Sequence, residues 1–301
     1  MVSEDKQFVI SIDVGATKTH TGLVAVNGGA RLMASALADT VVDEEAVLVR
    51  LGAEIDGLLK ASGVSPHQVG QVVIGVPGMV GPHGEIYNCY NLPAWERVDL
   101  SEVGRLIDRP VRVVRDIRLA TLGEWRVDRG EINDLIVVYV GSGIGLGGVA
   151  GGRLLVGGRG MAGELGHWTM VPDGLPCSCG KRGCLETVAS GWSFKQAAER
   201  LGHEGDVGAL IRGWRAGWHE EASTVNTAIR YLGMAVGNLI KLLDPARVIL
   251  GGGVIDQSPE LSQAIASAAQ DHAASRNLAD AQIERSRLGN LAPLLGGAWV
   301  E

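Results

Sequence analysis

Cys177, Cys179 and Cys184, three of the chain's four cysteines, fall within eight positions, and His167 stands ten residues upstream of the first. Three thiolates and one imidazole make a closed tetrahedral zinc site, and thiols packing only as small hydrophobes have no need of this spacing. A catalytic zinc keeps one position open for water. Here four ligands are at hand with no second histidine nearby, so the metal is expected to be structural. Cys89 is remote in sequence and reads as a buried apolar side chain. With no disulfide partner for it, and no basic and apolar leader before the first strand, a reducing, cytoplasmic compartment is expected.

Three glycine-rich turns each follow an apolar run: Gly15-Ala16-Thr17-Lys18, Gly141-Ser142-Gly143-Ile144-Gly145 and Gly251-Gly252-Gly253. In such turns peptide N–H groups can point at phosphate oxygens with no side chain in the way. None of them fits a Walker A or dinucleotide fingerprint, and one alone would be a tight turn and no more. Three together are better evidence for a phosphate-bearing ligand. Asp13, at the end of the first run, suits a magnesium ion or its water shell, and Thr17 and Lys18 can donate to phosphate. The alternative for Lys18 is a solvated turn lysine.

These residues must be carried by an alternation of strands and helices. Phe8 to Val14 reads as a buried strand, followed by a turn and a second strand through Val26. Asp43 to Ala61 has apolar residues at helical spacing and acidic residues in its first turn. Val72 to Val76 reads as a strand, then come a Pro77-Gly78 turn, a polar and aromatic loop through Trp95, a short helix from Ser101, the strand Val111 to Val114, and a helix beginning near Asp116. Asp134 to Val140 is another strand, and its turn and following apolar stretch repeat the opening of the chain. Two related lobes are therefore expected. From Ser190 the chain is mainly helical, with one last strand from Arg247 to Leu250 before the final amphipathic helices.

At 301 residues, 46% hydrophobic and 20% charged, the chain is large enough for two cores and has an ordinary soluble balance. No apolar run reaches membrane-spanning length. A net charge of −7 argues against a nucleic-acid partner, which needs a basic face.

Asp13-x-Gly15-x-Thr17, the Gly141 to Gly145 turn, Glu164-x-Gly166-His167 and Cys177-x-Cys179-Gly180-x-x-Gly183-Cys184-Leu185-Glu186 together resemble the ROK family of bacterial sugar kinases and sugar-responsive repressors. The resemblance covers nearly the whole chain, with the zinc segment its most specific part. It implies an α/β, two-lobed actin-like ATPase (ribonuclease H-like) fold with a structural zinc site, usually as a homodimer. The small lobe would comprise residues 1–117 plus 289–301, and the large lobe 118–288, with the second phosphate loop, the zinc site and an adenosine loop at Gly251 to Gly253. Repressor members carry a winged helix-turn-helix before the first phosphate loop. Only twelve residues precede Asp13 here, which points to the kinase branch.

Carried over to this chain, the resemblance makes Asp116 the catalytic base for transfer from ATP, with Mg2+ at the phosphates; the alternative is an N-cap for the helix that follows. Glu164, His167 and Glu186 match sugar-contacting positions, with His167 also a zinc ligand. Gly78 and Asn91 would complete the pocket, although Asn91 reads nearly as well as a surface residue. The family usually places Asn immediately before the catalytic Asp, to contact substrate hydroxyls, and here that position is Arg115. Guanidinium only donates, so an acceptor with a carbonyl or carboxylate is favoured unless Arg115 turns away into an ion pair. The expected substrate is a hexose or hexose-like ring phosphorylated on its primary hydroxyl. A ketone-bearing seven-carbon cyclitol of the valiolone type and an N-acylhexosamine are the alternatives, and a non-catalytic sugar sensor is the competing class.

Overall fold

Seven residues at the start, Phe8–Val14, alternate between two apolar surfaces and form β1, which pairs antiparallel with β2 (Lys18–Ala25), itself antiparallel to β3 (Arg31–Asp39). The computed structural model describes residues 7–81, 83–90, 92–127, 131–274 and 281–301. Helix α1 (Glu44–Ser62) begins where the Asp43 carboxylate accepts from the amides of Glu45 and Ala46, and it ends at Gly63 in the left-handed region. After β4 (Val69–Val76) come a small hairpin of β5 (Met79–Val80) and β6 (Ile86–Tyr87), then α2 (Ser101–Ile107), β7 (Val111–Arg115) and α3 (Asp116–Arg126).

The first sheet has the order β3-β2-β1-β4-β7, with β1, β4 and β7 parallel. On one face Ile10, Ile12 and Val14 pack with Val47, Leu51 and Ile55 of α1; on the other, Val9 and Val73 pack with Leu119 of α3. β3 escapes the sequence reading for a physical reason. Its residues alternate exposed and half-buried, its inward positions include alanine, and it has no β-branched residue to mark a strand.

β8 (Leu135–Val140), β9 (Ile144–Ala150) and β10 (Arg153–Leu154) repeat the antiparallel opening in a second unit. Helices α4 (Glu186–Ala189), α5 (Gly191–Arg200), α6 (Val207–Arg215) and α7 (His219–Leu243) follow, then β11 (Arg247–Gly251), α8 (Pro259–Ala273) and the short edge strand β12 (Gln282–Arg285). The second sheet runs β10-β9-β8-β11-β12, with β8, β11 and β12 parallel. Strand for strand, this is the order and sense of the first sheet. Its core joins Ile136 and Val138 to Phe194, Leu232, Val236 and Ile265.

By internal contacts the chain divides into Met1–Gly130 with Val156–Met161 and Asn290–Glu301, and Glu131–Leu155 with Ala162–Gly289. The closing helix α9 (Ala292–Gly296) thus belongs to the first unit, where Ser11 Oγ donates to the Pro293 carbonyl at 3.2 Å. Among the described residues no helix is long and apolar enough to cross a membrane.

Candidate active site and metal centre

In the second unit the chain folds back on itself between residues 164 and 186. A single helical turn, Leu165–His167, presents the imidazole, and short bridges pair Thr169 with Cys184 and Pro176 with Arg182. Cys177 N–H donates to the Lys181 carbonyl at 2.8 Å and Gly180 N–H to Cys177 at 3.0 Å, which closes a knuckle around the thiols. Gly183 makes this return possible, because its φ is 69° and a Cβ there would lie 1.6 Å from the Val171 carbonyl oxygen.

The ligand atoms of His167, Cys177, Cys179 and Cys184 all lie within 4.8 Å of one another. Cys179 and Cys184 sulfurs are 3.6 Å apart, as are Cys177 Sγ and His167 Nδ1. Tetrahedral zinc with ordinary Zn–S and Zn–N bonds sets ligand-to-ligand edges of about 3.6–3.8 Å, whereas a disulfide needs sulfurs at about 2.05 Å. The donor set therefore fits zinc. Burial, followed by hydrogen bonding to the neighbouring cysteines, pushes the Cys184 thiol up to about 12, so this sulfur keeps its proton until a cation displaces it. Cys89 is a free, fully buried thiol elsewhere, raised to about 11 chiefly by loss of hydration.

With Nδ1 turned toward the thiols, His167 Nε2 is 3.9 Å from Glu164 Oε2, beyond direct hydrogen-bond reach but close enough for one hydroxyl to serve both. Glu186 opens α4, and its Oε2 accepts from the Ile144 amide at 3.0 Å.

The second and third glycine turns meet at the carboxyl ends of neighbouring parallel strands, where Gly251 registers with Tyr139 and Val254 N–H donates to Val140 at 3.0 Å. Open α/β sheets bind ligands at this end of their strands. The carbonyls of Gly141 and Ser142 accept from Gly191 and Trp192 at the start of α5, at 2.8 and 3.1 Å, so this turn is braced from behind.

The first unit gathers carboxylates instead. Asp13, the penultimate residue of β1, registers with Gly75 of β4, and Gly75 in turn registers with Val114 of β7, just before Arg115 and Asp116. The missing side chain at Gly75 is what allows this approach: a Cβ there would meet Leu119 Cδ1 at 2.6 Å and Asp116 Cα at 3.2 Å. Loss of hydration, then the charge of Asp116, raise Asp13 to about 8. A cation between such carboxylates relieves both effects, so the donor set fits Mg2+.

Asp116 Oδ1 accepts from the following Ile117 amide at 2.6 Å, which orients the carboxylate at the first turn of α3. Arg115 is half-buried at the end of β7. Burial and then the Arg115 charge lower the Arg118 pKa, and Arg118 donates to the Gly160 carbonyl at 2.6 Å.

In the first glycine turn Gly15 N–H donates to the Lys18 carbonyl at 2.9 Å and Thr40 Oγ1 to Gly15 at 2.8 Å. Lys18 Nζ pairs with Asp39 at 2.5 Å in an exposed ion pair, a partner that sequence spacing gave no reason to expect. Gly78 packs against Cys89 and Ile86, and Asn91 lies outside the described residues. The sequence reading also passed over His20, which registers opposite Asp13, is only 7% exposed and has an Nδ1 with no hydrogen-bond partner among the described residues. Nothing but strand register could have singled it out.

The ROK family profile matches residues 9–301. A glucokinase from Halalkalibacterium halodurans is 33% identical over 75% of this chain and 74% of its own, and an N-acetylmannosamine kinase from Escherichia fergusonii is 28% identical over 81% and 82%. The crystal structure of a ROK family glucokinase from Streptomyces griseus in complex with glucose and AMPPNP superposes with a TM-score of 0.83 at 28% identity, covering 97% of this chain and 98% of that one. Repeated sheets, glycine turns and the Cys3His cluster define an α/β protein of the sugar-kinase type. The chain belongs to the ROK family.

Proposed function

We propose that this ROK sugar kinase transfers the γ-phosphoryl group of ATP to the primary hydroxyl of a hexose or hexose-like ring, with Asp116 as the base. The observation that carries the reading is the approach of Asp13 and Asp116 across Gly75, which sets a cation-binding carboxylate beside one oriented at a helix start. When bound at Asp13, Mg2+ supplies charge neutralisation at the phosphates. Asp116 accepts the proton of the attacking hydroxyl and orients it in line with the phosphorus, because a loose transition state asks more of position than of basicity. Glu164, His167 and Glu186 accept and donate to ring hydroxyls. His167, whose Nδ1 faces Cys177, would hold zinc with the three cysteines, which would fix its tautomer and leave Nε2 toward Glu164. The glycine turns at 15–18, 141–145 and 251–253 offer main-chain N–H groups to the nucleotide, apart from those of Gly15 and Gly141, which donate within their own turns to the Lys18 and Gly143 carbonyls.

A second reading of the acceptor comes from Arg115, a half-buried guanidinium at the strand end that carries Asp116. It donates and never accepts, which favours a ring bearing a carbonyl: an N-acylhexosamine, or a keto-cyclitol. The kinship to a glucokinase supports a plain hexose, and that to an N-acetylmannosamine kinase supports an N-acylhexosamine.

The test is coupled ADP release against glucose, mannose, N-acetylated hexosamines and keto-cyclitols, with wild type, Asp116→Asn and Arg115→Asn. A fall in turnover of about 10²–10⁴ in Asp116→Asn is expected. Saturable sugar binding without ADP release from any acceptor would overturn the kinase reading in favour of a sensor.

A further inference from the structure

Glu186 lies two residues past the metal ligand Cys184, and its main-chain neighbours tie it to that segment: Leu185 N–H donates to the Trp168 carbonyl at 2.9 Å and Thr187 Oγ1 to Cys184 at 2.7 Å. Its side chain reaches elsewhere. Besides accepting from Ile144 N–H at 3.0 Å, Oε2 is the atom that a Cβ on Gly143 would meet at 2.5 Å and one on Gly166 at 3.1 Å. The same oxygen is therefore wedged between the glycine turn after β8 and the turn that carries Glu164 and His167. Oε1 is directed away, 3.8 Å from the Gly143 position.

The other braces on this turn run in the opposite sense, since Gly191 and Trp192 donate to its carbonyls. Only an acceptor can hold the Ile144 amide, and a carboxylate is the strongest one a side chain offers. An N–H···carboxylate bond is worth roughly a tenfold shift in the population of the held turn. We propose that Glu186 is a positioning residue for the nucleotide: it fixes the Gly141 to Ile144 turn through Oε2 and turns Oε1 toward the acceptor, so one carboxylate serves both substrates. This rests on the reading of that turn as a phosphate loop. A residue that served the sugar alone would leave the turn indifferent to its loss.

The experiment uses the full zinc-loaded chain with no sugar present. Hydrogen exchange of the peptide spanning 141–146 is followed in wild type, Glu186→Ala and Glu186→Gln, and Mg·AMPPNP affinity is titrated in the same three. Glutamine keeps an acceptor oxygen and alanine does not. Expected are roughly tenfold faster exchange and roughly tenfold weaker nucleotide binding for alanine, with glutamine within about threefold of wild type in both. Unchanged exchange in Glu186→Ala, or a glutamine variant as loose as alanine, would overturn the proposal. If the alanine variant does not fold, Gly143→Ala takes its place, because the added methyl displaces Oε2 and must give the same loosening. If wild type binds no Mg·AMPPNP, the kinase reading fails and the positioning of the nucleotide fails with it, while the exchange data still decide whether Glu186 holds the turn.

Discussion

The two five-stranded sheets share one strand order and one pattern of parallel and antiparallel pairing, yet their strand ends carry opposite chemistry. At the ends of β1 and β7 the first sheet gathers side-chain carboxyl groups, Asp13 and Asp116, with an exposed Lys18–Asp39 pair beside the turn. At the ends of β8 and β11 the second has glycine turns, braced by α5 and by Glu186, which hangs from a thiol-lined segment. A repeated topology fixes where useful ends fall. What those ends carry is left to a few residues: carboxyl groups in one sheet, glycine turns in the other.

The sharpest way to break this comparison is Asp116→Asn. If the first unit supplies the charge for chemistry, kcat falls by about 10²–10⁴ while nucleotide affinity holds, as pre-steady-state phosphoryl transfer would report. Next in size is the metal. Cys184→Ser or chelation removes a ligand set that the thiols cannot replace by hydrogen bonding, so a thermal transition assigned to the second unit drops by about 10 °C. Calorimetry should leave the first unit's transition in place; a common fall of both would show that the units do not melt independently.

A third, gentler probe is pH. Asp13, raised to about 8, stays protonated in the folded chain where the unfolded chain has released its proton, so the cation-free protein loses stability as pH climbs from about 4 to 8. Asp13→Asn removes that slope: melting at pH 8 rises above wild type, while at pH 4 the two agree. Mg·nucleotide should shrink the difference by holding Asp13 ionised. Arg115→Asn sharpens the question of the acceptor, shifting the ratio of kcat/KM for glucose over a carbonyl-bearing ring by roughly tenfold, the scale of one polar contact. Smallest is Lys18→Ala. Its ion pair is solvated, so melting should not move, and only a severalfold rise in KM for ATP would give it a phosphate role.

Much of this was legible beforehand. The run Phe8 to Val14 is the strand β1 residue for residue, because apolar residues broken only by Ser11 and Asp13 before a glycine turn leave few alternatives. The repeat of that opening at Asp134 announced a second sheet, and the cysteine spacing announced the cluster with His167. What stayed hidden depends on distance in sequence. Ile144 and Glu186 are 42 positions apart and share no period. Gly75 reads as one more glycine in an apolar run until register sets it between Asp13 and Val114. β3 has the period of a strand but neither the bulk nor the branching that makes the period visible.

The return of the last residues to the first unit has a consequence in time. Asn290–Glu301 group with β1 and α3, and the Gln71 side chain donates to Val300 at 2.8 Å, so the half of the molecule made first lacks part of its packing until residues 290–301 have emerged. The second unit, made later, needs only residues that precede position 290. On the ribosome the order of emergence and the order of completion are therefore reversed, and the waiting half, with its long apolar strands, is the one that most needs shelter while the chain is being finished.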